Sequence, residues 1–166
     1  YRELFARLGL DRVLFNSFNK QLTQRGLMVG KGTIVDATLK QAQATPQSKR
    51  DQDATFTSRR GKPTYGYKGH IGVDADTTVI HSVEFTPAHI HDTQKFDDLL
   101  TGTEQRVLAD KGYANKKRKQ ILHDHGIRCD ILDKAYRNRP LTKKQIKRNK
   151  FLSAIRNAVE RPFSSL

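Results

Sequence analysis

The chain has 166 residues, 36% of them hydrophobic, and its 31 Lys and Arg against 17 Asp and Glu give a net charge of +14. That length suits one domain able to stabilise its own core, and the charge favours a polyanionic partner through counterion release and steering. A single cysteine, Cys129, excludes an intrachain disulfide and a cysteine-based zinc cluster and fits a reducing, cytoplasmic setting; no apolar run approaches the roughly 18 residues of a membrane span, and no signal peptide is read.

In chain order, Tyr1 to Gly26 reads as helix, with Val13, Leu14, Phe18 and Leu22 forming an apolar stripe at helical spacing. Gly26 and Gly30 supply stop and turn signals. Tyr1 falls inside that helix, so residues 1–29 are expected to be the tail of a longer N-terminal region, and 30–166 the domain proper, cut short at its C-terminus. Thr33 to Leu39 predicts a strand. Lys40 to Pro63 is polar and contains Pro46 and Gly61, which predicts a long loop. Tyr65 to Val73 alternates, Asp74 to Thr77 has turn chemistry, and Val79 to Phe85 alternates again, which predicts a hairpin. With the first strand it makes a three-stranded antiparallel meander.

The pattern then changes. Asp92 or Thr93 caps a short helix that buries Phe96, Leu99 and Leu100. Arg106 to Ala109 predicts a strand ending at Asp110. Asn115 caps a helix containing Ile121 and Leu122, with Gly126 as its stop. Ile127 to Leu132 is a further strand. Thr142 and Gln145 offer a capping box, opening a helix whose Ile155 and Val159 face the core. A meander followed by αβαβα is the element order of an RNase H-like fold, so the class expected is α/β with a mixed sheet.

Three acids sit far apart in settings that suit metal-dependent phosphoryl transfer. Asp36 interrupts an apolar, β-branched run, where a carboxylate is costly unless it is paired or binds a cation. The alternatives are an Asp paired with one of the many arginines, or a partly exposed strand. Asp110 closes a strand, where open α/β sheets place their ligands; the alternative is a turn or cap Asp. Glu160 stands four residues after Arg156, and alone it reads as an ordinary ion pair on a helix. Together, acids from a first strand, a fourth strand and a late helix can meet at one sheet edge and hold two metal ions.

From Lys134 to Arg156 the chain carries Lys143, Lys144, Lys147, Arg148 and Lys150 among nine cations and no acid. A solvated helix face normally mixes signs, so this tract is expected to contact DNA phosphates, with Arg59 and Arg60 of the long loop, and Lys49 and Arg50 before them, as further contacts. The histidines at His89 and His91, and at His123 and His125, have no closing partner set for zinc and read as surface or turn residues.

Five segments resemble a known family in register: Gly30-Lys-Gly-Thr-Ile-Val-Asp-Ala-Thr-Leu39, Tyr65-Gly-Tyr-Lys-Gly-His-Ile-Gly-Val-Asp-Ala-Asp76, Thr86-Pro-Ala-His-Ile-His-Asp92, Val107-Leu-Ala-Asp-Lys-Gly-Tyr113 and Arg156-Asn-Ala-Val-Glu-Arg-Pro-Phe163. They resemble the catalytic region of bacterial insertion-sequence DDE transposases, in the branch typified by insertion sequence five. The resemblance implies that Asp36, Asp110 and Glu160 are the catalytic and metal-binding triad, using two Mg2+ ions for which Mn2+ substitutes. It implies nicking at transposon ends, then attack of the freed 3′-hydroxyl on target DNA, by a homodimer on DNA in the bacterial cytoplasm. The family's Tyr-x2-Arg-x3-Glu-x6-Lys signature falls on Arg156 and Glu160, with Ser153 at the tyrosine position and the lysine just past Leu166. An RNase H-like nuclease or resolvase, and a truncated DNA-binding fragment without activity, are the alternatives.

Overall fold

A computed structural model of the chain describes residues 2–47, 50–59, 61–160 and 162. Two helices open it, α1 (Arg2–Arg7) and α2 (Leu10–Gln24), where the sequence predicts one. Gly9 separates them with φ 64°, a left-handed conformation that glycine adopts without steric cost. The predicted apolar stripe of α2 is not a core face: Val13 is 60% and Phe18 59% exposed. The helix instead buries Asn19, whose Nδ2 donates to the His81 carbonyl at 3.1 Å.

The sheet has six strands: β1 (Gly32–Gln41), β2 (Thr55–Arg59), β3 (Lys62–Asp74), β4 (Ile80–Pro87), β5 (Arg106–Ala109) and β6 (Arg128–Ile131). Its order is β2-β3-β1-β5-β6, with β4 also pairing β3. Antiparallel pairing joins β1, β3 and β4, while β5 runs parallel to both β1 and β6. β2 corrects the predicted long loop between Lys40 and Pro63. Its Thr-Phe-Thr-Ser-Arg run pairs with the start of β3, and Phe56 packs on Tyr65 with ring centroids 5.1 Å apart.

Where a helix was expected after Asp92, two 3-10 turns form at Asp92–Gln94 and Asp97–Leu99, and His91 caps the first. They still bury Phe96 and Leu99 completely. Helix α3 (Lys116–Asp124) starts at Asn115, whose side chain accepts from the Lys117 N–H. Helix α4 (Lys143–Arg156) starts at Thr142 with a complete capping box to Gln145.

Alternation along the strands divides the core between two faces. Val35, Val107, Ala109 and Ile131 pack with Phe96, Leu99, Tyr113 and Leu122, so the 3-10 turns and α3 cover that face. Ile34, Ile71, Val73, Leu108 and Leu132 pack with Leu152 and Val159, so α4 covers the other. Fully burying each such aliphatic side chain contributes about 1.5–3 kcal/mol.

One buried and one partly buried histidine predict a pH dependence. Burial pushes His70 and His81 below the ordinary imidazole value of 6.5, which keeps both neutral in the fold. The unfolded chain therefore binds more protons once the pH drops below 6.5, and stability present above that value is lost as pH falls toward the folded values. The urea midpoint is expected to fall between pH 7.5 and about 5.5, and to fall less in His70→Asn. A midpoint that stays flat or rises in wild type would contradict the assignment.

Candidate functional site

The site is built by register. β1 and β5 pair in parallel, Ile34 with Leu108 and Val35 with Ala109, and one residue further along come Asp36 and Asp110. Each acid follows by two residues a side chain of the same core cluster, Ile34 or Leu108, so both carboxylates lie toward the α4 side. Adjacent strands lie about 4.8 Å apart, which sets the two acids side by side. β5 stops at Ala109 while β1 continues to Gln41. Along this stretch of β1 a cleft of about 300 Å³ opens, lined by Asp36, Asp110, Asp92, Lys68, Thr57 and Ser58 among others.

Asp36 is half-buried. Its Oδ1 accepts from the Ala37 N–H at 2.9 Å and its Oδ2 from Arg156 Nη1 at 2.6 Å. Burial pushes the carboxyl above its ordinary range, the Arg156 charge and the Ala37 N–H oppose this, and the nearby Asp110 charge adds to it; the net direction is upward. The pairing with an arginine was one of the alternatives open for this residue.

Asp110 occupies the N-cap position of a 3-10 turn, Lys111–Tyr113, yet its side chain makes no capping bond. Its carboxylate accepts no hydrogen bond and joins no ion pair among the described residues. The turn reading of Asp110 therefore accounts for its position and leaves its oxygens free to face the cleft.

Glu160 is not brought to this pair. It is exposed and follows a 3-10 turn, Asn157–Val159, that continues α4. Four residues along an α-helix return to within about 40° of the same side, whereas 3-10 winding accumulates about 120° per residue. Val159 is fully buried, Arg156 meets Asp36, and Glu160 is exposed to solvent. No Arg156–Glu160 ion pair forms, and among the described residues no group of three or more His, Cys, Asp or Glu is gathered to hold a metal.

The expected phosphate contacts divide. Lys143, Lys144, Lys147 and Lys150 are exposed on α4. Arg148 is instead a structural tie: Nη2 donates to the Cys129 carbonyl at 2.9 Å, and Nη1 to the Ile131 carbonyl and Asp133 Oδ2, each at 3.1 Å. The guanidinium, with Asn149 bonded to Asp133, ties α4 to the end of β6. Arg156 is likewise engaged, with Asp36. Lys49 and Arg60 lie outside the described residues, as does the side chain of Arg59. Of the histidines, His89 bonds Thr55 at 2.9 Å and His125 meets the Ile121 carbonyl at 2.8 Å.

Three residues of the site were not singled out from the sequence. Lys68 Nζ lies 2.8 Å from the Ile90 carbonyl and 2.9 Å from Asp92 Oδ1. The Tyr113 ring is core, tilted against Phe96 with centroids 5.7 Å apart, while its buried hydroxyl has no hydrogen-bond partner among the described residues. Burial first, then the charges of Asp92, Asp36 and Asp110, push that phenol up, so three carboxylates act on one hydroxyl. The available signal was that Lys68, Asp92 and Tyr113 all lie inside the segments that carry the family resemblance, where Asp92 reads as a helix cap.

Comparison with known proteins follows the same residues. Positions 28–166 match the profile of the family described as "Transposase DDE domain". The transposase for insertion sequence element IS1106 of Neisseria meningitidis serogroup B is 35% identical over the whole of this chain, which spans 65% of that relative's length. The piggyBac transposase in its synaptic complex with hairpin DNA is 13% identical with a TM-score of 0.45, over 71% of this chain and 26% of that one. The Mos1 strand transfer complex is 12% identical with a TM-score of 0.34, over 90% of this chain and 56% of that one. The profile match takes in every strand, the cleft and α4, and the chain belongs to the transposase DDE domain family.

Proposed function

We propose that this chain is the catalytic part of a DNA transposase that nicks DNA at transposon ends and joins the freed 3′-hydroxyl to target DNA. The observation that carries this reading is the pair Asp36 and Asp110, set side by side by parallel register in a cleft. Family membership and the IS1106 relative support it. The strand order β4-β3-β1-β5-β6, with β2 as an addition on β3, supports an RNase H-like architecture within it. The division into a helical segment, 1–29, and a catalytic domain, 30–166, belongs to the same proposal.

Asp36 and Asp110 suit a hard divalent cation, because both offer carboxylate oxygens and Asp110's take no bond among the described residues. Two Mg2+ ions, with Mn2+ as substitute, would be held by Asp36 and Asp110 with Glu160 as third acid, and would supply Lewis-acid stabilisation of phosphodiester oxygens. Glu160 joins when Arg156 leaves Asp36 and the turn after α4 rewinds as helix. Arg156 released in this way contacts phosphate. Lys143, Lys144, Lys147 and Lys150, with Arg59 and Arg60, hold the duplex without reading its sequence. Synapsis of two ends makes a homodimer on DNA the working assembly.

The test is a nicking and joining assay with the full-length protein on a duplex carrying a transposon end, with Mg2+ or Mn2+. Nicks followed by joined products are expected, and Glu160→Gln is expected to lower nicking at least about a hundredfold. Nicks never followed by joining would make the protein a nuclease or resolvase. Wild-type nicking by Glu160→Gln would remove that residue from the site.

A further inference from the structure

We propose that Lys68 is a phosphate-contacting residue at the acidic cleft, positioned by Asp92, so that one fixed cation faces the scissile phosphodiester. The inference rests on the cleft of Asp36 and Asp110 being the reaction site. Lys68 lies on β3, opposite Leu39 of β1, and lines the cleft together with both acids. Of the three N–H donors of its ammonium, one is given to the Ile90 carbonyl, 2.8 Å away, and its charge pairs with Asp92 Oδ1 at 2.9 Å, an ion pair that leaves this buried oxygen without a hydrogen bond among the described residues. The ammonium therefore keeps donors for the cleft.

The surroundings favour a role beyond a surface ion pair. The Lys68 side chain is only 18% exposed, against 40% for Asp92, so the cation is the more enclosed partner. An enclosed ammonium held by one hydrogen bond and one ion pair loses little further freedom when another acceptor arrives, which is the preorganisation an anion site needs. Other charges near the pair do not fill this role. His70, two residues along β3, is fully buried, bonds Thr86 at 2.9 Å, and is held neutral by burial. Arg156 is paired with Asp36 and meets phosphate only once that pair opens, whereas Lys68 already lines the cleft. On the acidic side stand Asp36, Asp110 and Asp92; divalent ions held by the first two would offset their charge, and Lys68, held near Asp92, is the cation that the chain itself sets at the cleft to receive a phosphate.

The experiment is a coupling measurement in the full-length protein. Binding is measured for two duplexes that differ only at the nicked position, one with the natural phosphate and one with an uncharged methylphosphonate, for wild type and Lys68→Met. Lys68→Met is expected to weaken binding of the natural duplex on the order of tenfold and to leave binding of the methylphosphonate duplex unchanged. Lys68→Arg, which keeps the charge, is expected to restore most of the difference. Equal weakening on both duplexes would make the Lys68–Asp92 pair purely structural and overturn the proposal. A methylphosphonate that leaves wild-type affinity unchanged would overturn the cleft as the reaction site, and this proposal with it. If Lys68→Met loses the fold by circular dichroism, Asp92→Asn takes the same measurement: it frees the ammonium without removing it, and coupling as strong as wild type would overturn the positioning role.

Discussion

Asp36→Asn is expected to lower strand nicking at least about a thousandfold while leaving the urea midpoint at pH 7 unchanged or higher. The two effects have one cause. Burial holds the Asp36 carboxyl above its ordinary value of 3.8 even though Arg156 and the Ala37 N–H oppose it. A raised folded value contributes stability below pH 3.8 that is lost as pH rises through the folded value, so at pH 7 the ionised carboxylate works against the fold. The amide keeps the shape and removes the charge, but only its single oxygen can accept, so it retains the bond from Ala37 or the one from Arg156 and not both. Asp36→Ala is different: it strips Arg156 of its partner, and its midpoint is expected to fall by an amount worth about 1–3 kcal/mol. Normal nicking by Asp36→Asn, or a midpoint for it as low as that of Asp36→Ala, would contradict this account. A carboxylate kept at a cost to the fold is what a functional site looks like in energetic terms.

Gly66→Ala is expected to be the most damaging small substitution in the sheet. Gly66 pairs with Gln41 of β1 on one side and Thr55 of β2 on the other. A Cβ there would lie 2.1 Å from the Lys40 carbonyl oxygen, 2.9 Å from the Ala42 nitrogen and 3.0 Å from Gln41 Cα. All three are backbone atoms and cannot rotate away, so the end of β1 must move. A loss of about 3 kcal/mol is expected, or roughly 6–12 °C in Tm. Gly69→Ala is the matched control: its nearest neighbour is the Phe85 ring at 3.1 Å, and Phe85 is 60% exposed and free to turn. Its cost is expected to stay below about 1 kcal/mol. Thermal melts of the two variants side by side check this, and equal losses would refute the distinction. Because the end of β1 also borders the cleft, Gly66→Ala is expected to impair nicking at temperatures where the protein is still folded.

How far the sequence foretold these features depends on whether the determinant was local. The caps at Asn115 and Thr142 were legible because a short polar side chain and its acceptor lie within three residues of each other. β1 was legible because its apolar run is dense, and the burial of Phe96 and Leu99 because they are large and spaced. β2 was not: its one large apolar residue, Phe56, is 58% exposed, so no alternation betrays a strand that depends on pairing with β3. The stripe of α2 misled for the opposite reason, since its helical period was real but nothing in the described chain covers it. In the site, Asp36 was found as an acid inside an apolar strand and Asp110 as one at a strand end, but their adjacency needed the parallel register. Glu160 was placed beside them on the assumption that α4 continued as α-helix past Arg156. Three residues of 3-10 winding separate that expectation from the structure, and no propensity in Asn157-Ala158-Val159 marks it. Lys68 and Asp92 meet across 24 positions of sequence, a contact that only the fold supplies.

The central claim is that Asp36 and Asp110 form one cation site. Titration of the protein with Mn2+, followed by calorimetry or by the loss of the free ion's paramagnetic signal, tests it most directly. Saturable binding is expected for wild type, with loss on either Asp36→Asn or Asp110→Asn and retention on Asp133→Asn, an acid tied to Lys119 and Arg148 away from the cleft. Binding that survives both cleft substitutions would contradict the account.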